Sequence, residues 1–72
     1  MYPTLNAECA RRDVTLEKLA GRLGKQISTV SQKKKGVYPF TLNEAKEIKK
    51  YLNEIEPLGM TLEELFQTKE VG

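Results

Sequence analysis

The stretch that most constrains the fold is LEKLAGRLGKQISTVSQKKKG, which covers residues 16 to 36. Its first half places four apolar residues at i, i+3, i+4 and i+7, the spacing of one helix face: Leu16, Leu19, Ala20 and Leu23. Gly24 follows, and glycine tolerates the positive φ that often ends a helix. A second helix is predicted over 27–35, with Val30 on its inward side.

The spacing within this stretch favours a particular helix pair. Two helices that cross closely need a small residue where their backbones approach, and Ala20 is small. They need a corner that tolerates positive φ, which Gly24 offers, and an apolar side chain on the second helix, which Val30 offers. This is the spacing of a helix-turn-helix, whose second helix enters the major groove of DNA.

The rest of the chain also predicts helices. The dipeptide Thr-Leu occurs four times, and each threonine is suited to begin a helix: Thr4, Thr15, Thr41 and Thr61. Glutamate three residues after Thr41 and Thr61 predicts two capping boxes, and no segment shows sustained period-two alternation. We therefore expect an all-α fold with one domain over 1–72 and five helices: 4–12, 16–23, 27–35, 42–54 and 62–67.

Composition excludes several functional classes. The chain has 72 residues, one cysteine and no histidine, so it offers no internal disulfide and no plausible zinc ligand set. Cys9 is interpreted as a small core residue. No catalytic grouping is visible. We expect no enzyme activity, cofactor, metal, membrane association or small-molecule ligand, and the lone thiol without a secretion signal favours the cytoplasm.

Charge is unevenly distributed along the chain. Residues 1–35 hold eight Lys and Arg against three acidic residues, a balance of +5, whereas residues 36–72 hold four lysines against seven glutamates, a balance of −3. Such asymmetry suggests that one half meets a polyanion. Chance scatter in a small protein is the alternative.

The chain resembles the Cro/phage-repressor family, the lambda-repressor-like helix-turn-helix proteins. The resemblance covers most of the chain and rests on TLEKLAGRLG, on STVS in the second helix, and on Gly36 followed by Tyr38 and Pro39. It implies a compact five-helix DNA-binding domain with the helix-turn-helix, residues 16–36, at helices two and three. It also implies operator binding as a homodimer and control of transcription, often in phage or mobile elements.

Four residues depart from the pattern of this family. Many relatives have glutamine at the position of Leu16, an apolar residue at Lys33 and an acidic residue at Lys34. The acidic residue often pairs with an arginine at the position of Cys9, so both members of that pair are absent.

The second helix presents one polar face. At 3.6 residues per turn, Ser28, Ser31, Gln32 and Lys35 share that face, with Thr29 at its edge. We predict base contacts from the short or amide-bearing members: Ser28, Thr29, Ser31 and Gln32. An amide can contact adenine through two hydrogen bonds. Ile27 is interpreted as either a contact to a thymine methyl group or a seal at the edge of the core.

Contacts to DNA phosphates are predicted for residues around this helix: Thr15, Lys25, Gln26, Lys33, Lys35 and Tyr38. Thr15 would act through the amide groups of the helix that it begins, and Tyr38 could instead cover the core. Taken alone, the three lysines are also typical of a solvated helix C-terminus, where cations offset the helix dipole. Consecutive helix residues cannot all face one surface, so Lys34 is predicted to point away from DNA.

The segment after Pro57 is rich in apolar side chains. We predict a dimer contact in and before the helix over 61–67, from Leu58, Met60, Leu62, Leu65 and Phe66; ordinary core packing is the alternative. The leading hypothesis is a sequence-specific double-stranded DNA-binding transcriptional regulator of the phage-repressor type. The alternative is a protein-interaction module with the same fold, such as an antirepressor, an antitoxin subunit or an adaptor, without direct DNA binding.

Overall fold

The computed structural model describes residues 2–68, and these form five helices and no strand. The helices are α1 (Pro3–Arg11), α2 (Leu16–Leu23), α3 (Ile27–Lys35), α4 (Leu42–Ile55) and α5 (Leu62–Leu65). The all-α prediction is confirmed, and the bounds of the first four helices agree with the sequence-based ones to within one residue. The prediction for the last helix is too long, because the backbone leaves the helical region at Phe66, with φ −99° and ψ 21°.

Side-chain caps explain where three of the helices begin. The hydroxyl groups of Thr41 and Thr61 accept from the backbone N–H groups of Glu44 and Glu64, and both glutamates accept in return, so both capping boxes are present. Thr15 caps α2 by accepting from the backbone N–H of Lys18 at 3.3 Å. The start predicted from Thr4 is one residue late.

Proline accounts for the earlier start of α1. Pro3 is the first helical residue, and its fixed φ suits the helix. A backbone N–H at this position would have no acceptor within the helix, so proline loses no helical hydrogen bond there. Tyr2, at the N-cap position, makes no side-chain hydrogen bond to the helix.

Left-handed glycines end the two helices that flank the predicted turn. Gly24 follows α2 with φ 67°, and Gly36 follows α3 with φ 88°. The backbone N–H of Lys25 then donates to the carbonyl of Ala20 at 3.0 Å, which satisfies a carbonyl left open at the end of α2. Three residues therefore connect α2 to α3, and Gly24 has the positive φ expected at this connection.

All five helices contribute to one core. α2 packs against α3 and α4, and α5 packs against α4 and α1. The buried apolar residues are Tyr2, Leu5, Cys9, Val14, Leu19, Ala20, Val30, Ile48, Leu52, Leu58 and Leu65. Cys9 is only 2% exposed, and burial raises the pKa of its thiol, so its interpretation as a core residue is confirmed.

One arginine for which the sequence predicts no specific role links the end of α1 to the end of α4. Arg12 is buried and donates to the carbonyl groups of Leu52, Glu56 and Pro57 at 3.0 Å each. It also donates to the carboxylate of Glu8 at 2.7 Å. Arg12 therefore supplies a donor to the carbonyls of Glu56 and Pro57, just after α4, and a second donor to Leu52, which also accepts from the backbone N–H of Glu56 at 3.1 Å. The guanidinium group of Arg12 is buried and makes its contacts within the fold.

Candidate nucleic-acid interface

The surface of α3 divides into a buried side and an exposed polar side. Val30 is fully buried and anchors the helix against α2. On the opposite side Ser28, Gln32 and Lys35 are exposed, while Thr29 and Ser31 are half-buried at the two margins. We call these five residues the α3 face. The grouping expected from helical periodicity is therefore present at the surface.

The first turn of α3 also has backbone N–H groups that no capping side chain accepts from. Gln26 is the N-cap residue, is exposed, and makes no side-chain hydrogen bond to the helix. The first turn contains no acidic residue. Its N–H groups and the positive end of the helix dipole are thus without a side-chain acceptor, which favours a negatively charged contact.

Most of the basic residues in the first half of the chain are already paired. Arg12 binds Glu8, and Arg11 lies 3.1 Å from Glu56 and 3.5 Å from Glu8. Arg22 holds two carboxylates of α4, Glu47 at 2.6 Å and Glu54 at 2.7 Å.

Two lysines of this half are paired as well. Lys18 lies 3.9 Å from a carboxylate oxygen of Asp13, and Lys33 binds Glu44. The positive balance counted from the sequence is therefore mostly neutralised within the fold.

Three lysines in this half remain without an ion pair. Within residues 2–68, neither Lys25, Lys34 nor Lys35 makes a salt bridge to a carboxylate. Lys25 lies in the turn before α3, and Lys34 and Lys35 lie in its last turn. The free positive charge of the basic half is thus placed at both ends of the α3 face.

Lys33, for which a phosphate contact is predicted, is paired within the fold. Its ammonium donates to both carboxylate oxygens of Glu44, at 2.6 and 2.7 Å, and its side chain is only 14% exposed. Burial of the Glu44 carboxyl raises its pKa, but hydrogen bonds from Lys33 and from the backbone of Thr41 outweigh burial, and the pKa lies below its usual value. The neighbouring carboxylate of Glu44 thus holds the charge of Lys33, and the phosphate contact of Lys33 stays a prediction.

The orientation of Lys34 away from DNA stays a prediction, and the structure gives the position of this residue. It is half-buried and, with Lys35 and Ser31, lines a cleft that Asn6 of α1 and Leu16 of α2 complete. Its ammonium is close enough to Cys9 to oppose the effect of burial on the pKa of that thiol. Lys34 therefore lies along the flank of α3 that faces α1, beside the α3 face.

The other predicted contact residues are at the surface. Thr15 and Lys25 are exposed, and Tyr38 is 55% exposed in the loop after α3, so Tyr38 does not cover the core. Ile27 is 47% exposed and is not part of the core. The interpretation of Ile27 as a residue that seals the edge of the core is therefore wrong, and its side chain is accessible to solvent.

The predicted dimer contact is largely part of the core. Leu65 is fully buried and Leu58 is 8% exposed, which leaves no surface on Leu65 for a second copy. Phe66 packs edge-on against Tyr2 and Phe40, with ring centroids 5.8 and 5.4 Å apart, and Met60 is half-buried against the core. For Leu58 and Leu65 the core-packing alternative is correct, since both lie inside the monomer.

Leu62 keeps an open environment. It lines a shallow apolar groove between α4 and α5 with Tyr2, Phe40, Leu42 and Phe66. Leu42 is 64% exposed, so this groove has an apolar rim that the core does not cover.

Comparison of the chain with protein-family models, with curated proteins and with solved structures gave no significant match. Among residues 2–68, no helix is both long and apolar enough to cross a membrane. The same residues contain no cluster of three side chains suited to bind a metal ion. The function is therefore inferred from the residues and their geometry.

Proposed function

We propose that this chain is a sequence-specific double-stranded DNA-binding transcriptional regulator. In this proposal α2, the Gly24 turn and α3 form a helix-turn-helix of the lambda-repressor-like type, and α3 enters the major groove. One observation carries the proposal: the unpaired lysines of the basic half, Lys25, Lys34 and Lys35, lie at the two ends of an exposed polar helix face. We further propose a cytoplasmic repressor of the phage or mobile-element type.

Base recognition is assigned to the α3 face. Gln32 is exposed near its centre and carries a donor and an acceptor that match adenine in the major groove. Ser28 is exposed one turn earlier, and its short side chain lets the helix approach the base edges closely. Thr29 lies at the margin, and exposed Ile27 would contact a thymine methyl group.

Affinity is assigned to charge and to backbone donors. Lys25 before α3 and Lys35 at its end would each neutralise a phosphate, and such contacts fix the position of a protein on DNA without selecting sequence. The uncapped N–H groups that follow Gln26 add donors at the beginning of α3. Thr15, at the start of α2, and Tyr38, after α3, complete the proposed phosphate contacts.

We propose that two copies bind one operator as a homodimer. A small protein with one recognition helix contacts a longer DNA site when two copies form a dimer. A two-fold symmetric dimer requires a palindromic operator. Met60, Leu62 and Phe66 retain exposed surface and are the members of the predicted dimer contact that can reach a second copy.

Selection from a random duplex DNA pool tests the proposal directly. We expect enrichment of one palindromic site, with half-sites about one helical turn apart. A salt titration on the selected site should show log K falling by about 0.9 per neutralised phosphate for each unit of log salt. A pool without enrichment, together with no binding at low salt, would remove DNA binding as the function.

A second candidate function is a protein-interaction module, and one observation favours it. Val37, Tyr38 and Leu42 are 60%, 55% and 64% exposed along the loop between α3 and the start of α4. Apolar side chains grouped at a surface are typical of protein contacts. This function predicts binding to a protein partner that Leu42→Ser weakens, with no enrichment from the DNA pool.

A further inference from the structure

A cleft of about 330 Å³ opens where α1, α2 and α3 meet. Its walls are Asn6 of α1, Leu16 of α2, and three residues of α3: Ser31, Lys34 and Lys35. The cleft adjoins the α3 face, since Ser31 and Lys35 belong to both. Two kinds of polar group in it lack partners within residues 2–68.

The first kind is cationic. Lys34 and Lys35 make no ion pair within residues 2–68, whereas the neighbouring Lys33 is bound to Glu44. Two adjacent ammonium groups repel each other, so an anion between them lowers the electrostatic free energy.

The second kind is a hydrogen-bond acceptor. The Oδ1 atom of Asn6 is buried and accepts no hydrogen bond from the residues described. Buried acceptors of this sort are uncommon and unfavourable, and each calls for a donor. A lysine ammonium has three N–H donors, so one group can donate to Asn6 and to an anion at the same time.

We infer that this cleft binds one phosphodiester of the DNA backbone beside the major-groove contact of α3. Lys34 and Lys35 neutralise the phosphate, the hydroxyl of Ser31 donates to one of its oxygens, and Asn6 acts as a positioning residue that orients the Lys34 ammonium. Lys34 thus faces the DNA backbone. This inference rests on the proposed function.

The chemistry of the walls suits a phosphodiester. The donors come from two ammonium groups and a hydroxyl, and a tetrahedral phosphate presents unesterified oxygens that accept from several directions. Leu16 and the aliphatic stems of the lysines line the rest of the cleft, where reduced access of water strengthens a charge–charge contact. Because Ser31 is half-buried here, its contact is to the phosphate, whereas Ser28 and Gln32 remain for the bases.

The salt dependence of DNA binding by Lys34→Met tests the inference. Methionine keeps the apolar stem and removes only the charge. We expect the slope of log K against log salt to fall in magnitude by about 0.9, with all sequences weakened alike. The matched control is Lys50→Met, which removes an exposed lysine of α4 in a cleft lined by α4 and α5, and which should leave the slope unchanged. Equal slopes for the two variants overturn the inference while the proposed function stands.

Two further variants separate a phosphate contact from a structural effect. Lys34→Arg should restore the wild-type slope. Asn6→Leu should raise the midpoint of thermal unfolding, because it removes an unsatisfied acceptor, and yet weaken DNA binding. Unchanged DNA affinity of Asn6→Leu overturns its positioning role.

The source of the phosphate is tested with inorganic phosphate in the absence of DNA. We expect no saturable change in the amide resonances of Asn6 and Ser31 at millimolar concentration, and a saturable change identifies a free-anion site instead. If the wild-type protein binds no DNA at low salt, the proposed function fails first and this inference fails with it.

Discussion

Lys33 in the last turn of α3 donates to both carboxylate oxygens of Glu44 in the first turn of α4, at 2.6 and 2.7 Å. Glu44 also accepts from the backbone N–H of Thr41 at 2.8 Å, so one carboxylate caps α4 and holds α3. Both side chains are largely buried, 14% exposed for Lys33 and 8% for Glu44. The pair joins the proposed recognition helix to the rest of the fold.

Replacing Lys33 should affect stability and leave the phosphate contacts unchanged. We expect Lys33→Met to lower the free energy of unfolding by about 1–3 kcal/mol, because the Glu44 carboxylate loses its charged partner in a poorly solvated place. Urea denaturation measures this change. The slope of DNA affinity against salt should match that of the wild type, whereas Lys35→Met should reduce the slope with little loss of stability. A reduced slope in Lys33→Met would show that Lys33 contacts phosphate after all.

Stability should fall in acid partly through Glu44. Its pKa in the folded protein lies below the usual value of 4.5, so the unfolded chain binds the proton more readily. The stabilisation is complete above the unfolded pKa and is lost as pH falls from that value through the folded pKa. Thermal unfolding of Glu44→Gln should therefore depend less steeply on pH below about 5 than unfolding of the wild type. Identical pH profiles would exclude a contribution from Glu44.

The two glycines of the α2 region should respond to alanine in opposite directions. Gly24 has φ 67°, which disfavours any Cβ, so Gly24→Ala should lower the free energy of unfolding by about 1–2 kcal/mol. Gly21 lies inside α2, and Gly21→Ala should raise it by about 0.5–1 kcal/mol. A Cβ at either position meets no atom within 4 Å, so crowding affects neither result. Calorimetry of both variants measures the contrast, and equal losses would contradict it.

Gln32 and Lys25 should differ in what they contribute to DNA binding. We expect Gln32→Ala to relax the preference at one base pair of the selected site, a loss of about 1–3 kcal/mol of discrimination. Lys25→Ala should weaken binding to all sequences alike and reduce the dependence on salt. Competition binding with single-base variants of the site measures both effects. If the two variants lower every affinity equally, Gln32 does not contact a base.

Arg12 should be far more important for folding than its neighbour Arg11. Arg12→Met removes the donor to the carbonyl groups of Glu56 and Pro57, just after α4, and the second donor to Leu52, which still accepts from the backbone N–H of Glu56. Arg11→Met removes ion pairs made by a side chain that is 61% exposed, and ion pairs of exposed side chains contribute little. We expect a large drop in the midpoint of thermal unfolding for the first variant and almost none for the second. Similar midpoints would mean that water satisfies those carbonyls equally well.

The sequence by itself determined the local architecture of this protein. The threonines that cap α2, α4 and α5, and the glycines that end α2 and α3, act on groups within a few residues of themselves. Apolar spacing likewise identified the buried positions Leu19, Ala20 and Val30. These signals are local, since helix geometry relates residues three or four apart. Four helix bounds and the two capping boxes could therefore be predicted.

The tertiary structure alone decided which charges and apolar side chains are available at the surface. Arg12 meets its carbonyl partners 40 to 45 residues away, and Arg22 meets Glu47 and Glu54 at separations of 25 and 32 residues. The residue type determines the charge of a side chain. Which partner neutralises that charge depends on how helices that are distant in the sequence pack together. The same packing buried Leu65 and left the unpaired positive charge of residues 2–35 to Lys25, Lys34 and Lys35, at the ends of α3.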